Sequence, residues 1–223
     1  IVAKSYLQGQ YQQGVSQFAS GYSSGTGYTA VGSTAQAIQM LKKGYTDALQ
    51  GYNDALSGEQ AATTITTSGA QSGFQEGQQL LGAVNDVANN GKLTNTGGDP
   101  IYSLAFTAAR KAKDAVDANP DVSNVVPATN PNASNSVYAA AYANAVNAMQ
   151  TNYQNGAQQY LSSQAEPANP TTEYDMGYND ANQSFEDAIV RGQSSSTKKT
   201  NEAINAFNEG QKALQGYNDA VST

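Results

Sequence analysis

The chain has 223 residues, with 14 tyrosines, 21 glycines and no cysteine, histidine or tryptophan. A net charge of −7 with only two arginines excludes a basic patch, so no nucleic-acid partner is expected. The missing histidine and cysteine remove the near-neutral acid–base switch, the thiol nucleophile and the usual zinc, haem and iron–sulfur ligands, so no catalytic residue, metal site or cofactor is expected.

The first helix is expected near 2–22, with Gly21, Gly25 and Gly27 at its loose end. These glycines lack the lysine of a phosphate-binding loop. The second, near 33–57, shows the clearest helical period. At about 100° per residue, Leu41, Gly44, Tyr45, Ala48, Tyr52, Ala55 and Leu56 form one stripe, and Asp47 and Asp54 fall opposite it, toward water. A third helix near 67–89 runs to the Asn90-Gly91 break. Asp86, Asn90 and Gly91 match three positions of a calcium loop, but Ala88 and Gly97 stand where ligands belong, so a helix-ending turn is expected. Asp99-Pro100 can cap the fourth helix, near 100–118. An Asn- and Pro-rich connection over 119–134 follows, then a fifth helix near 135–162. The sixth, near 172–191, opens with Thr172 and Asp175 spaced as a capping box. Tyr174, Gly177, Tyr178, Ala181, Phe185, Ala188 and Ile189 repeat the apolar stripe, and Asp180 and Asp187 repeat the acids. A seventh helix near 197–221 closes the chain. No run of about 18 apolar residues occurs, so no membrane insertion is expected. The start at Ile1 reads as a piece of a longer protein.

The chain repeats itself. Residues 44–89 align with 177–222 without a gap at an offset of 133, with 18 of 46 positions identical. At an offset of 131, Tyr11, Gly14, Phe18 and Tyr22 align with Tyr142, Ala145, Met149 and Tyr153. This predicts a first unit of four helices over 1–133 and a second, incomplete unit of three over 134–223. Within the units, Tyr45, Phe74, Phe106, Tyr142, Tyr178 and Phe207 each follow a Gly or Ala and precede another by three residues.

Two small residues four apart occupy one helical face and let a neighbouring backbone approach closely. Leu, Ile, Val and Phe number only 34, about 15% of the chain, which by itself would suggest disorder. Tyrosine packed against Gly and Ala can supply the missing burial, at roughly 2–3 kcal/mol per ring. The expected fold is all-α, with seven long antiparallel helices. Tandem up-down bundles and an elongated helical stack are both compatible, held by Gly/Ala helix contacts. Most tyrosines belong to the packing stripe. Tyr22, Tyr28, Tyr153 and Tyr160 lie toward helix ends, beyond the strongest part of the stripe, and are the candidate ligand-binding residues, because tyrosine offers both a flat apolar face and a hydroxyl.

GYTDALQGYNDALSG and GYNDANQSFEDA resemble the Tyr/Gly/Asp/Ala-rich helical repeats of large cell-surface proteins of lactobacilli and related Gram-positive bacteria. The resemblance implies an extracellular, wall-associated, multi-repeat protein and supplies no catalytic residues. The expected function is a non-enzymatic adhesive module binding a surface glycan, mucin or matrix protein by multivalency, beside neighbouring repeats of the same chain. The alternative is a spacer that projects other domains from the wall.

Overall fold

The computed structural model describes residues 2–24, 28–58, 66–90, 98–163 and 170–222. These residues form seven α-helices and no strand. They are α1 (Val2–Ser24), α2 (Ala35–Leu56), α3 (Ser68–Asn85), α4 (Pro100–Ala118), α5 (Ser136–Ser163), α6 (Thr172–Ile189) and α7 (Asn201–Val221). A π-helical turn, Asp86–Asn90, extends α3. None of the described helices is long and apolar enough to cross a membrane.

Helix starts follow from short polar side chains that satisfy orphan N–H groups. Thr34, Thr67 and Thr200 accept from the backbone N–H three residues on. Asp99 does the same for Tyr102, as its pairing with Pro100 predicts. The α6 cap is Thr171, which accepts from Tyr174 N. The capping box expected at Thr172 is thus displaced by one residue, because Thr172 already has helical geometry.

The chain divides into two compact units. The first comprises 1–111 with 124–145, and the second 112–123 with 146–223. The division follows packing and not the repeat boundary at 133/134. Helices α4 and α5, 19 and 28 residues long, each contribute to both units.

Within the first unit, α2 packs against both α1 and α3. The all-helical architecture and the Gly/Ala contacts are as expected, but these neighbours run in the same sense and are not antiparallel. Tyr6, early in α1, bonds Ser33 just before α2, and Phe18, later in α1, meets Tyr45 and Tyr52. Gly69, Gly73 and Gly77 of α3 meet Asp47, Ala48 and Tyr52–Ala55 of α2 in the same order. Ten residues separate α1 from α2, and a ten-residue connection can reach about 35 Å, enough to return to the starting end of a helix.

The crossings explain the glycines. A Cβ on Gly44 would collide with the Tyr11 carbonyl oxygen, and one on Gly14 with that of Leu41. Gly51 and Gly73 stand likewise against the carbonyls of Ala70 and Ala48. In the second unit, Gly156 and Gly177 stand against the carbonyls of Tyr174 and Tyr153. Each pair brings Cα–H groups onto a neighbouring C=O, a weak attraction that only small residues permit.

Substitution separates this packing from helix propensity. Gly177→Ala is expected to destabilise by about 1–3 kcal/mol through overpacking, although alanine is the better helix former by ~1 kcal/mol. Gly9→Ala, with open space around its Cβ position, is expected to stabilise by up to ~1 kcal/mol. Urea unfolding of the two variants checks both signs.

Candidate functional site

The most developed polar sites join three helices each. In the first unit Tyr11 of α1 donates its hydroxyl to Asp47 Oδ2 of α2 at 2.9 Å and accepts from Gly69 N of α3 at 3.1 Å. Lys43 Nζ closes on Asp47 at 2.9 Å. In the second unit Tyr153 of α5 donates to Asp180 Oδ2 of α6 at 3.0 Å and bonds Thr200 Oγ1 at the start of α7 at 2.8 Å. An ionised carboxylate only accepts, so the Tyr153 proton goes to Asp180 and Thr200 donates to the phenol oxygen. Lys198 pairs with Asp180 at 2.6 Å.

The two clasps correct the register of the repeat. Asp47 and Asp180 match at an offset of 133, as do Thr67 and Thr200. Tyr11, however, takes the place of Tyr153, an offset of 142 and not 131. The ring contacts agree. Phe18 meets Tyr45 and Tyr52, and Tyr160 meets Tyr178 and Phe185, with centroids 5.4–5.9 Å apart. An eleven-residue slip is close to three helical turns, so both registers present the same face.

The acids also differ from expectation. Asp47, Asp54 and Asp187 are buried and do not face water. Because α3 begins beside the middle of α2, Asp47 lies at the N-terminus of α3, where Gly69 approaches it. Negative charge is favoured at that end of a helix. Burial works against the Asp47 charge, yet hydrogen bonds from Lys43, Tyr11 and Thr67 hold its carboxyl below the ordinary 3.8. Asp187 has 0% exposure and anchors the connection back toward α7. It accepts from Thr197 Oγ1 at 2.6 Å, Thr197 N at 2.9 Å and Arg191 Nη1 at 2.6 Å. Thr197 first, then Arg191, lowers its pKa. Asp54 accepts from Gln50 Nε2 at 2.6 Å.

Of the four candidate tyrosines, Tyr22 and Tyr28 belong to the first unit and Tyr153 and Tyr160 to the second. Tyr22 lies in α1, and its side chain falls outside the described residues. Tyr28 is half-buried, edge-on to Tyr45 at 5.6 Å. Tyr153 and Tyr160 lie in the interior and not beyond the stripe. Burial raises the phenol pKa of both, far above the usual tyrosine range for Tyr153. The clasp residues Tyr11, Asp47, Asp180 and Thr200 were not singled out as a site. The signal was available in the Asp two residues after Tyr45 and Tyr178 and the Thr repeated at 67 and 200, but it required knowing which helices adjoin.

Other polar groups are also engaged. Asp86, the first position of the rejected calcium loop, accepts from the Tyr102 hydroxyl, and residues 91–97 of that loop lie outside the described residues. Buried Glu173 pairs with Lys113. Among the described residues no three acidic, histidine or cysteine side chains are grouped to hold a metal ion. Two open clefts lie in the second unit. One, of about 560 Å³, carries Asp117, Asp175, Asp180 and Lys198. The other, of about 740 Å³, is edged by Leu161, Phe185, Lys212 and Ala213.

Two outcomes test the clasps. Tyr153→Phe removes one hydroxyl shared by two partners and is expected to cost about 1–2 kcal/mol of unfolding free energy. Asp47→Asn probes the charge. Because the folded-state pKa of Asp47 lies below 3.8, its stabilisation is fully present above pH 3.8 and is lost as pH falls through the folded value. The wild type should therefore exceed Asp47→Asn in stability at pH 7, with the gap closing below pH 3.8. Denaturant titrations across that range measure the gap. No family model, curated protein or solved structure matches this chain.

Proposed function

We propose that the chain is a non-enzymatic scaffold repeat of a bacterial cell-surface protein, a spacer whose purpose is to be rigid and repeated. The single observation that carries this reading is that the same three-helix clasp is built twice, with its reactive-looking groups turned inward. Tyr11 and Asp47 are spent on holding α1, α2 and α3, and Tyr153, Asp180 and Thr200 on holding α5, α6 and α7. A tyrosine whose proton is held by a carboxylate has none to offer a ligand. The extracellular, wall-associated location rests on the likeness of GYTDALQGYNDALSG to surface repeats. The absence of cysteine and the low content of charged residues, 13%, agree with that likeness.

Adhesion and spacing make opposite predictions. The isolated chain is presented to immobilised mucin, a glycan array and peptidoglycan, and intact cells of the producing organism are labelled with antibody against it. Surface labelling without saturable binding is the expected result. Saturable binding to any one polymer would replace the spacer with an adhesive module, and absence of surface label would remove the location.

A further inference from the structure

The connection between α4 and α5 carries a motif that the clasps do not use. In three places an asparagine stands two residues before a serine or threonine: Asn132-Ala133-Ser134, Asn169-Pro170-Thr171 and Asn182-Gln183-Ser184. This triplet is the acceptor pattern for N-linked sugar, provided that the middle residue is not proline and the asparagine lies on an accessible loop. Pro170 excludes the second triplet. The third lies inside α6, where Ser184 is 0% exposed and its hydroxyl is bonded to that of Ser196 at 2.7 Å. An enzyme could reach that hydroxyl only if α6 came away from the connection that follows it.

The first triplet is built differently. Asn132 and Ser134 are both exposed. Two successive turns carry them, with Ala133 N donating to Asn130 O and Asn135 N to Asn132 O, each at 3.0 Å. The neighbouring asparagines are engaged in the fold. Asn130 Oδ1 accepts from Asn132 N at 2.9 Å, and Asn130 Nδ2 donates to the Tyr138 hydroxyl at 3.0 Å. Asn135 Oδ1 caps α5 by accepting from Tyr138 N at 3.1 Å. The Asn132 carboxamide and the Ser134 hydroxyl, by contrast, bond no other described residue. Short polar side chains in turns ordinarily bond the local backbone. Here the pair is left free between two anchored asparagines, so an enzyme can take hold of it without breaking any contact that starts α5.

We propose that Asn132 is a site of N-linked glycosylation, with a polyprenyl-diphosphate-linked oligosaccharide as donor. In the transfer, Asn132 Nδ2 forms a bond to C1 of the first sugar. The bond from C1 to the diphosphate oxygen breaks, the polyprenyl diphosphate leaves with the electron pair, and one amide proton passes to a base of the transferase. The Ser134 hydroxyl is the group by which the transferase recognises the acceptor. The product places a hydrophilic chain on the longest connection between helices, an exposed segment of the kind that proteases otherwise attack. The inference rests on the triplet and its exposure and not on the spacer reading, so the polymer-binding results above neither support nor remove it.

The two intact triplets supply the test and its control. The folded chain is incubated with a purified oligosaccharyltransferase and its polyprenyl-diphosphate oligosaccharide, and the intact mass is measured. One oligosaccharide should be added, and peptide fragmentation should place it on Asn132. Asn132→Gln and Ser134→Ala should each abolish the addition, Ser134→Thr should keep it, and Asn182→Gln should leave it unchanged. Neither Asn132 nor Ser134 holds a side-chain contact, so the variants remain folded substrates. Sugar on Asn132 is also expected in the protein recovered from the producing organism. Transfer only after the chain is denatured would overturn the proposal. So would transfer to Asn182 in its place, or an unmodified Asn132 in the recovered protein.

Discussion

Everything in these units depends on backbone meeting backbone at glycine. Gly44 stands against the Tyr11 carbonyl and Gly177 against that of Tyr153, closer than any side chain would permit. Close approach has two consequences. It adds Cα–H···O and dispersion contacts across the crossing, and it leaves the large rings no room at the crossing itself. Phe18, Tyr45 and Tyr52 therefore pack edge-to-face beside it, as do Tyr160, Tyr178 and Phe185. A chain with 15% Leu, Ile, Val and Phe assembles a core in this way because alanine and glycine shorten the gaps that leucine would otherwise fill.

The parallel course of the helices then determines the polar chemistry. Parallel neighbours align their dipoles, which by itself is unfavourable. The stagger offsets this by setting the N-terminus of each third helix beside a carboxylate of the second. Asp47 meets the start of α3 and Asp180 the start of α7, and a tyrosine from the first helix joins each pair. The connection from α6 to α7 returns along the helix it leaves, and Asp187 holds it through Thr197 and Arg191. Asp47 and Asp187 are fastenings of the architecture, each held by several hydrogen-bond donors.

Much of the helical pattern is legible in the residues. Thr67, Thr200 and Asp99 mark helix starts because a short side-chain oxygen can reach an orphan N–H at only one spacing. The Gly–Tyr stripe marks the packing face. Three things were not legible. Helix direction depends on whether a connection bridges or returns, and a ten-residue segment can do either. The placement of Asp47 and Asp187 follows from that direction, since an acid opposite the stripe meets water unless the next helix begins beside it. The pairing of Tyr11 with Tyr153 was hidden because an eleven-residue slip leaves the helical face almost unchanged.

By itself, then, the sequence determined that this protein is all-helical, where its helices lie and that they approach through Gly and Ala, because these follow from local spacing and side-chain size. Only the tertiary structure decided that neighbours run parallel and that Tyr153 and Tyr160 are interior. Those properties depend on which backbone lies next to which, and residues far apart in the chain meet only once the connections have taken their course.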